Sequence, residues 1–302
     1  MVQLHKLPFF NWPNCYQLAN AHLELIFTTD VGPRIVRAGF VGGQNFLAEF
    51  PATHGQTGGA GWIQYGGHRL WHAPEQFPRT YQPDNAPVTL ETHPNFIRLI
   101  QPIEAGTGLQ KEIDLHLAAD EPAVRVIHRL RNTLAWEIEV AVWPLTVMAP
   151  SGVAVAPLPP RAPHSHQTLL PTSQLTLWSY TNLADPRLTL GRRYILLRQD
   201  PANTEFQKIG VRATDGWAAY WLNGELFIKT FTVHAQAQYP DFNTPLEIFT
   251  NQEILELETL GPLTRLAPGA VVEHTENWRF FRDVTRPTSD ADVEAEIAPK
   301  VN

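Results

Sequence analysis

The sequence predicts an all-β protein whose strands pack as a large β-sandwich. Three observations lead to this class: short segments with an alternating or β-branched-rich pattern, tight-turn residues between them, and the near absence of helical periodicity. With so few helices to cover the faces of a sheet, the strands must cover one another. We therefore expect two sheets of strands packed together.

The predicted strands recur at short intervals along the whole chain. The clearest lie at 22–30, 33–41, 96–103, 123–131, 137–143 and 225–233. Turn residues separate them, and Asn223-Gly224 is the sharpest hairpin signal because both residues tolerate the positive φ that a two-residue hairpin needs. Similar turn signals occur at Gly42-Gly43, Pro83-Asp84-Asn85 and Pro268-Gly269.

A single domain is expected to hold these strands. The chain has 302 residues, and its 26 prolines and 19 glycines are spread along it rather than gathered in a linker. Large sandwiches reach this size without dividing. We expect one β-sandwich domain over 1–286, followed by an acidic tail over 287–302 that is either a short helix or disordered.

Net charge and cysteine content limit which partners and which cell compartment we expect for this protein. The net charge is −7 and neither end carries a basic run, so nucleic acid is not an expected partner. The chain has no apolar run of about 18 residues and no signal-like start, so we expect no membrane association. The one cysteine, Cys15, forms no disulfide framework, which favours the cytoplasm. Monomer and homodimer both stay open.

Three stretches, in order along the chain, resemble parts of a known family. They are DVGPRIV at 30–36 with GGQNFL at 42–47, then RNT at 131–133 with the strand EIEVAVWPL, and finally LELETLGP at 255–262. Together they resemble the galactose mutarotase-like (aldose 1-epimerase-like) superfamily, which implies a large β-sandwich with a sugar-binding concave face. The segment GGHRLWHAPE at 66–75 resembles an uncharacterised branch of it.

The resemblance implies a catalytic carboxylate at Glu258, in its Leu-Glu-Thr context. On a strand, Glu256 and Glu258 share one face and Leu255 and Leu257 the other. Two carboxylates about 7 Å apart repel each other, and this repulsion raises one pKa towards neutrality. The alternative interpretation is a solvated strand face.

The acid that should accompany Glu258 has no direct counterpart. The family's epimerases carry two cleft histidines, whereas the corresponding stretches here contain none. His68 and His72 are the available substitutes, and they lie between glycines and Glu75 in a segment that also contains Arg69 and Trp71. Trp71 would stack on a sugar and Arg69 would bind its hydroxyls. The alternative interpretation is a buried cluster of polar side chains that fixes a long loop to the sandwich.

Other polar residues are weaker candidates for the same site. The resemblance implies that Arg34 binds hydroxyls, although an ion pair explains it equally well. Asp241 and Asn243 have the composition of a sugar-facing loop, with an Asx-type turn as the favoured alternative. Lys208 and Lys229 are candidates to line a cleft that faces an acidic sugar, with solvated strand faces as the favoured interpretation. Six tryptophans are assigned mostly to the core: Trp136, Trp143, Trp178, Trp217, Trp221 and Trp278.

No metal or cofactor is expected. The pair His164 and His166 would face one way on a strand, but it lies in a proline-rich stretch with no third ligand nearby. Neither G-x-G-x-x-G nor a Walker-type loop is present in the sequence.

Three functions remain open, and all have a small-molecule saccharide as partner. The first is mutarotase- or epimerase-like acid-base chemistry at the anomeric centre. The second is carbohydrate binding without catalysis, and the third is lyase or hydrolase chemistry on an unusual saccharide. Ring opening needs one group to take the anomeric hydroxyl proton and another to protonate the ring oxygen.

Overall fold

Two large antiparallel sheets form the structure, as the sequence predicts. A computed structural model of the chain describes residues 1–301. The first sheet has 11 strands in the order β1-β2-β3-β4-β5-β10-β19-β18-β15-β12, with β20 paired to β10. The second has ten strands in the order β13-β14-β11-β16-β17-β21-β9-β8-β7-β6.

The strands of the first sheet have these bounds: β1 Gln3–Phe9, β2 Trp12–Ala19, β3 Leu23–Thr28, β4 Arg34–Phe40, β5 His68–Ala73, β10 Ile138–Met148, β12 Leu175–Leu177, β15 Gln207–Val211, β18 Leu246–Thr250, β19 Leu255–Thr259 and β20 Thr264–Leu266. Those of the second are β6 Thr89–Thr92, β7 Ile97–Ile100, β8 Leu109–Leu117, β9 Ala123–Asn132, β11 Val153–Pro157, β13 Leu188–Leu190, β14 Tyr194–Arg198, β16 Trp217–Leu222, β17 Glu225–Phe231 and β21 Val271–Phe281.

Helical structure is short in the described residues. The elements are α1 Pro240–Asn243, α2 Asp290–Glu296, and two 3₁₀ turns at Pro51–Thr53 and Ala298–Lys300. No helix within residues 1–301 is long and apolar enough to cross a membrane. All six predicted strand segments are confirmed, and Asn223 and Gly224 adopt φ of 47° and 85° in the hairpin between β16 and β17.

The apolar core lies between the two sheets. Strand alternation sends one set of side chains inward, for example Leu255 and Leu257 of β19, which both lie in the main core cluster. The predicted tail forms α2 rather than a disordered end. Its Val293 and Ile297 are buried against Val155 of β11 and Trp217 of β16, so the tail covers the outer face of the second sheet.

A buried polar cluster crosses this core and links the sheets. Its centre is the ion pair between Lys229 Nζ of β17 and Glu276 Oε1 of β21, 2.9 Å apart, with both side chains 0% exposed. Lys229 also donates to Thr146 Oγ1 of β10 at 2.7 Å and to the Leu257 carbonyl of β19 at 2.9 Å. Two strands of the second sheet are thereby bonded to two strands of the first.

The carboxylate of Glu276 is fully occupied. Thr259 Oγ1 of β19 donates to Oε1 at 2.6 Å, and Trp278 Nε1 donates to Oε2 at 2.7 Å. Burial would raise the pKa of Glu276, but Lys229 and the nearby histidines hold it well below its ordinary value. Lys229 is therefore a buried charge with a partner, and its assignment to a solvated face is wrong.

Three histidines complete the buried polar cluster. His68 Nε2 of β5 lies 2.7 Å from His128 Nε2 of β9, and His68 Nδ1 lies 2.9 Å from Thr146 Oγ1. His274 Nε2 lies 2.9 Å from Thr259 Oγ1. Burial lowers the pKa of His128 to about 4 and that of His274 to about 3, so these rings are neutral at pH 7.

Breaking the central ion pair should strongly destabilise the fold. The variant Glu276→Gln leaves the Lys229 ammonium buried without an anion, and we expect the free energy of unfolding to fall by about 3–5 kcal/mol. The double variant Lys229→Met/Glu276→Gln should recover part of this loss because no charge is left unpaired. Denaturant unfolding measures both.

The matched control is Glu139→Gln, which removes an exposed ion pair with Arg265 whose side chains are 53% and 74% exposed. We expect this change to cost less than about 1 kcal/mol. A loss of similar size in Glu139→Gln and Glu276→Gln would contradict a special role for the buried pair.

Candidate functional site

A cleft of about 430 Å³ lies on the outer face of the first sheet, on the side away from the core. Its aromatic lining includes Trp62, Trp71, Tyr81, Trp143 and Tyr180. Its ionisable polar lining consists of Arg69, Glu75, Lys208, Glu253, Glu256 and Glu258, together with the two tyrosines. An aromatic cleft with a few convergent polar groups is the usual form of a small-molecule site.

Strand alternation selects the residues on the cleft floor. On β5, Arg69 and Trp71 face the cleft, and on β19, Glu256 and Glu258 do so. The intervening strand β10 aligns them, because its Leu145 is the register partner of both Arg69 and Glu258. The predicted pairing of Glu256 with Glu258 on one face of β19 is therefore what the structure contains.

Glu258 lies at the bottom of the cleft and is 1% exposed. Its Oε2 accepts hydrogen bonds from Trp143 Nε1 at 3.0 Å and Lys208 Nζ at 3.1 Å. Its Oε1 has no hydrogen-bond partner among the described residues. Burial raises the pKa of Glu258 to about 7, with Lys208 opposing and Glu256 adding to the rise. This carboxyl exchanges a proton near neutral pH.

Lys208 is held between two carboxyl groups and two indole rings. Its Nζ lies 2.6 Å from Glu247 Oε2, and 5.2 Å and 4.7 Å from the ring centres of Trp143 and Trp178. Burial alone would lower the pKa of Lys208, but Glu247 and Glu258 hold it well above its ordinary value. Burial also raises the pKa of Glu247 well above its ordinary value. Lys208 lines the cleft, as the alternative interpretation has it, and its assignment to a solvated face is wrong.

Arg69 forms the second cation of the cleft floor. Its guanidinium donates to Glu256 Oε1 and to Gln64 Oε1, both at 3.0 Å. The same group lies 5.2 Å from the ring centre of Trp62 and 4.6 Å from that of Trp71. Arg69 therefore fixes the two tryptophan faces and the Glu256 carboxylate relative to one another.

The rim of the cleft carries hydroxyl and carboxylate groups. The Tyr81 hydroxyl donates to Glu75 Oε1, and burial together with this contact raises the pKa of Tyr81. Burial raises the pKa of Tyr180 to about 12, so its hydroxyl is protonated at pH 7. Glu75 and Glu253 are exposed.

Comparisons with solved structures identify the fold. A galactose mutarotase-like protein from Lactobacillus casei matches with a TM-score of 0.59 at 10% identity, covering 89% of this chain and 100% of that chain. A galactose mutarotase related enzyme from Lactobacillus acidophilus matches with a TM-score of 0.54 at 10% identity, covering 91% and 99%. The chain has the galactose mutarotase-like fold.

The same fold matches part of a longer protein. A TPR-domain containing protein from Parabacteroides distasonis gives a TM-score of 0.59 at 13% identity, and the match covers 95% of this chain and 51% of that chain. This chain therefore spans about half of that protein. No protein-family model and no curated protein sequence matches the chain.

Within this galactose mutarotase-like fold, His68 and His72 do not line the cleft. Both lie on β5, but on the face opposite Arg69 and Trp71, and both are 0% exposed. His68 belongs to the buried polar cluster. Neither ring nitrogen of His72 has a partner among the described residues, and burial lowers the pKa of His72 to about 2. The expectation that they share the cleft with Arg69 is wrong, because adjacent strand residues face opposite ways.

Arg34 lies beside the cleft but is covered. It is the register partner of Arg69 and therefore on the same face of the sheet. Its guanidinium is buried, where it donates to the Gly66 carbonyl and to Asp84 Oδ2, both at 2.5 Å. Arg34 thus forms the ion pair that the sequence left as the alternative to sugar binding.

Asp241 and Asn243 form a turn outside the cleft lining. Asp241, Phe242 and Asn243 have φ of 50°, 56° and 73°, and Asn243 Oδ1 accepts from the Tyr239 N–H at 2.9 Å. The favoured interpretation, an Asx-type turn, is correct as to the turn, but the Asn243 side chain bonds four residues back rather than two residues on. Asp241 contributes to the field that raises the pKa of Glu247 behind the cleft.

The only set of metal-ligand type within the described residues is His68, His128 and Glu276. The two Nε2 atoms are 2.7 Å apart, whereas two tetrahedral ligands about 2.0–2.1 Å from zinc would be about 3.3 Å apart. Glu276 is already occupied by Lys229, Thr259 and Trp278. The distances within this set are those of a hydrogen-bonded cluster rather than of a zinc site. His164 and His166 lie in an exposed loop.

Several residues at or behind the cleft belong to no sequence motif that would identify them. Lys208 and Glu247 are single charged residues within apolar strands, a pattern that marks buried pairs but does not identify the partner. Trp143 was assigned to the core and is 2% exposed, yet its indole N–H contacts Glu258 at the cleft floor. Trp136, also assigned mostly to the core, is 61% exposed.

Removing the Lys208 ammonium should change how Glu258 titrates. In Lys208→Met we expect the pKa of Glu258 to rise above about 7, because the nearest positive charge that favours the carboxylate is gone. Carboxyl ¹³C NMR of glutamate-labelled protein measures this shift. Lys6→Met, which removes an exposed lysine bonded to Asn14, is the control. An unchanged Glu258 pKa in Lys208→Met would show that the ion pair does not set it.

Proposed function

We propose that the cleft binds a saccharide and that Glu258 exchanges a proton at its anomeric centre, as in a mutarotase or epimerase. The observation that carries this proposal is the Glu258 carboxyl. It lies buried at the floor of an aromatic cleft, has one oxygen without a partner, and has a pKa of about 7. A proton-transfer group works best when its pKa is near the working pH.

The aromatic lining supports a sugar as the ligand. The faces of Trp62 and Trp71 are held by Arg69, and an aromatic face packs against the C–H side of a pyranose. Hydroxyl partners are available from Gln64, Asn251 and the tyrosines at the rim. The galactose mutarotase-like fold agrees with this proposal, although fold alone does not assign function.

Within the proposed reaction, ionised Glu258 accepts the proton of the anomeric hydroxyl and the ring C–O bond opens. The Lys208 ammonium, whose Nζ lies 3.1 Å from Glu258 Oε2, gives a proton to the ring oxygen as the bond breaks and then recovers a proton from the Glu258 carboxyl. The pKa of Lys208 lies well above its ordinary value, so the ammonium persists throughout the neutral range. In this proposal Lys208 is the acid, the role for which the sequence suggests His68 or His72.

The proposed partner is a small saccharide, and the proposed compartment is the cytoplasm. No cofactor is needed, because ring opening and closing transfer only protons. The single thiol, Cys15, is buried, and this agrees with a reducing compartment.

The catalytic proposal predicts accelerated interconversion of α and β anomers. NMR with wild-type protein and a panel of neutral, amino and acidic aldoses should show a rate above the spontaneous one, and Glu258→Gln should lower the excess rate by about 10²–10⁴. The base must be ionised, so the wild-type excess rate should rise with pH through about 7. Glu121→Gln, on an exposed turn, is the control. No acceleration with any sugar would refute catalysis.

Carbohydrate binding without catalysis is the second candidate. One observation favours it: no histidine lines the cleft in the part of the chain that the structure describes. In this case the tryptophan and arginine contacts would hold a sugar while Glu258 serves only as a hydrogen-bond acceptor.

Titration calorimetry should detect sugar binding under either candidate. We expect saturable heat with at least one aldose, and a loss of about 1–3 kcal/mol of binding free energy in Trp62→Ala, because Trp62 is the partly exposed tryptophan of the cleft floor. Trp136→Ala removes an exposed indole that does not line the cleft and should leave binding unchanged. Equal losses in the two variants, or no heat from any sugar, would argue against a saccharide site.

A further inference from the structure

The cleft has an excess of carboxyl groups. Glu256 and Glu258 lie on its floor, and Glu75 and Glu253 lie at its exposed rim. Among residues 1–301, Arg69 and Lys208 are the only Lys or Arg side chains in the lining. Even with Glu258 protonated half of the time, the negative groups outnumber the positive ones. The field inside the cleft therefore favours a cation.

Neither cation is free to bind an acidic ligand. The Arg69 guanidinium is 2% exposed, donates to Glu256 and Gln64, and is covered by Trp62 and Trp71. An acidic ligand would have to replace Glu256 at Arg69 and leave that carboxylate without its partner. Such an exchange loses one ion pair for each one gained.

Lys208 is engaged in the same way. Its ammonium is 6% exposed, is bonded to Glu247 and Glu258, and lies against Trp143 and Trp178. A ligand carboxylate or phosphate close to this ammonium would also be close to two buried carboxyl groups. Both groups already contact the Lys208 ammonium, so an acidic ligand would have to displace one of them to reach this cation.

The carboxyl groups, in contrast, keep unused acceptor capacity. Glu258 Oε1 has no partner among the described residues. Glu253 forms no ion pair within residues 1–301, and Glu75 has a tyrosine hydroxyl rather than a cation as its partner. An ammonium group can donate three hydrogen bonds to such acceptors.

From this arrangement we propose that the cleft selects an amino sugar, in which a protonated amine replaces a hydroxyl, over neutral and acidic sugars. The ammonium donates to the carboxylates of the rim and floor, while the pyranose ring packs on the indole faces. The inference rests on the proposed saccharide function, and it further specifies that the substrate is positively charged. Sugar phosphates and uronates meet a cleft whose cations are already occupied.

The test compares ligands that differ in charge on one ring. Calorimetric titrations use glucosamine, N-acetylglucosamine, glucose and glucuronate at about pH 6, where an amine with a pKa of about 8 is protonated. We expect glucosamine to bind more tightly than glucose by about fivefold for each carboxylate that it engages. N-acetylglucosamine should lose this advantage, and glucuronate should bind most weakly.

Two variants test whether the preference for glucosamine arises from the cleft carboxylates. In Glu75→Gln/Glu253→Gln, the ratio of glucosamine affinity to glucose affinity should fall most of the way to one, because glutamine retains the shape without the charge. Glu121→Gln removes one exposed negative charge outside the cleft and should keep the full preference, which separates the local effect from the net charge of −7. Added salt should weaken the preference in the wild type.

The outcomes separate this inference from the function on which it rests. Glucose or glucuronate binding as tightly as glucosamine would overturn the amino-sugar inference and leave the saccharide site standing. A preference unchanged in Glu75→Gln/Glu253→Gln would also overturn it, since the rim carboxylates would then have no part. Absence of binding by all four ligands and by the neutral aldose panel would overturn both.

Discussion

The buried ion pair between Lys229 and Glu276 is the constraint on which both faces of the first sheet depend. Two charges removed from water are stable only if every donor and acceptor finds a partner. Here those partners come from β10 and β19 of the opposite sheet, through Thr146, the Leu257 carbonyl and Thr259. Since a shift of one residue in either strand would leave a buried charge unsatisfied, the register is strongly specified.

The same register determines what faces the cleft. On β19, Leu257 and Thr259 bond to the buried polar cluster, so Glu256 and Glu258 must face outward. On β5, His68 lies in the cluster and Arg69 on the cleft floor. The cleft is therefore positioned by polar contacts on the opposite side of the strands that form it.

The fold and part of the site could be predicted from local pattern. Period-two alternation and turn residues determine the strands, and alternation alone puts Glu256 and Glu258 together. The same rule separates His68 from Arg69, but Gly66 and Gly67 directly before them are typical of a loop, in which alternation does not apply. The pairings of Lys208 with Glu247 and of Arg34 with Asp84 join residues far apart in the chain, so no local pattern shows them.

The two faces of β5 also have a consequence for how this protein can diverge. Replacing Arg69 or Trp71 changes the lining of the cleft, whereas replacing His68 or Leu70 changes the interior of the sandwich. Selection for a new ligand and selection for folding thus act on alternate codons of one six-residue strand. A substitution in the cleft lining leaves the side chains that face the interior of the sandwich unchanged.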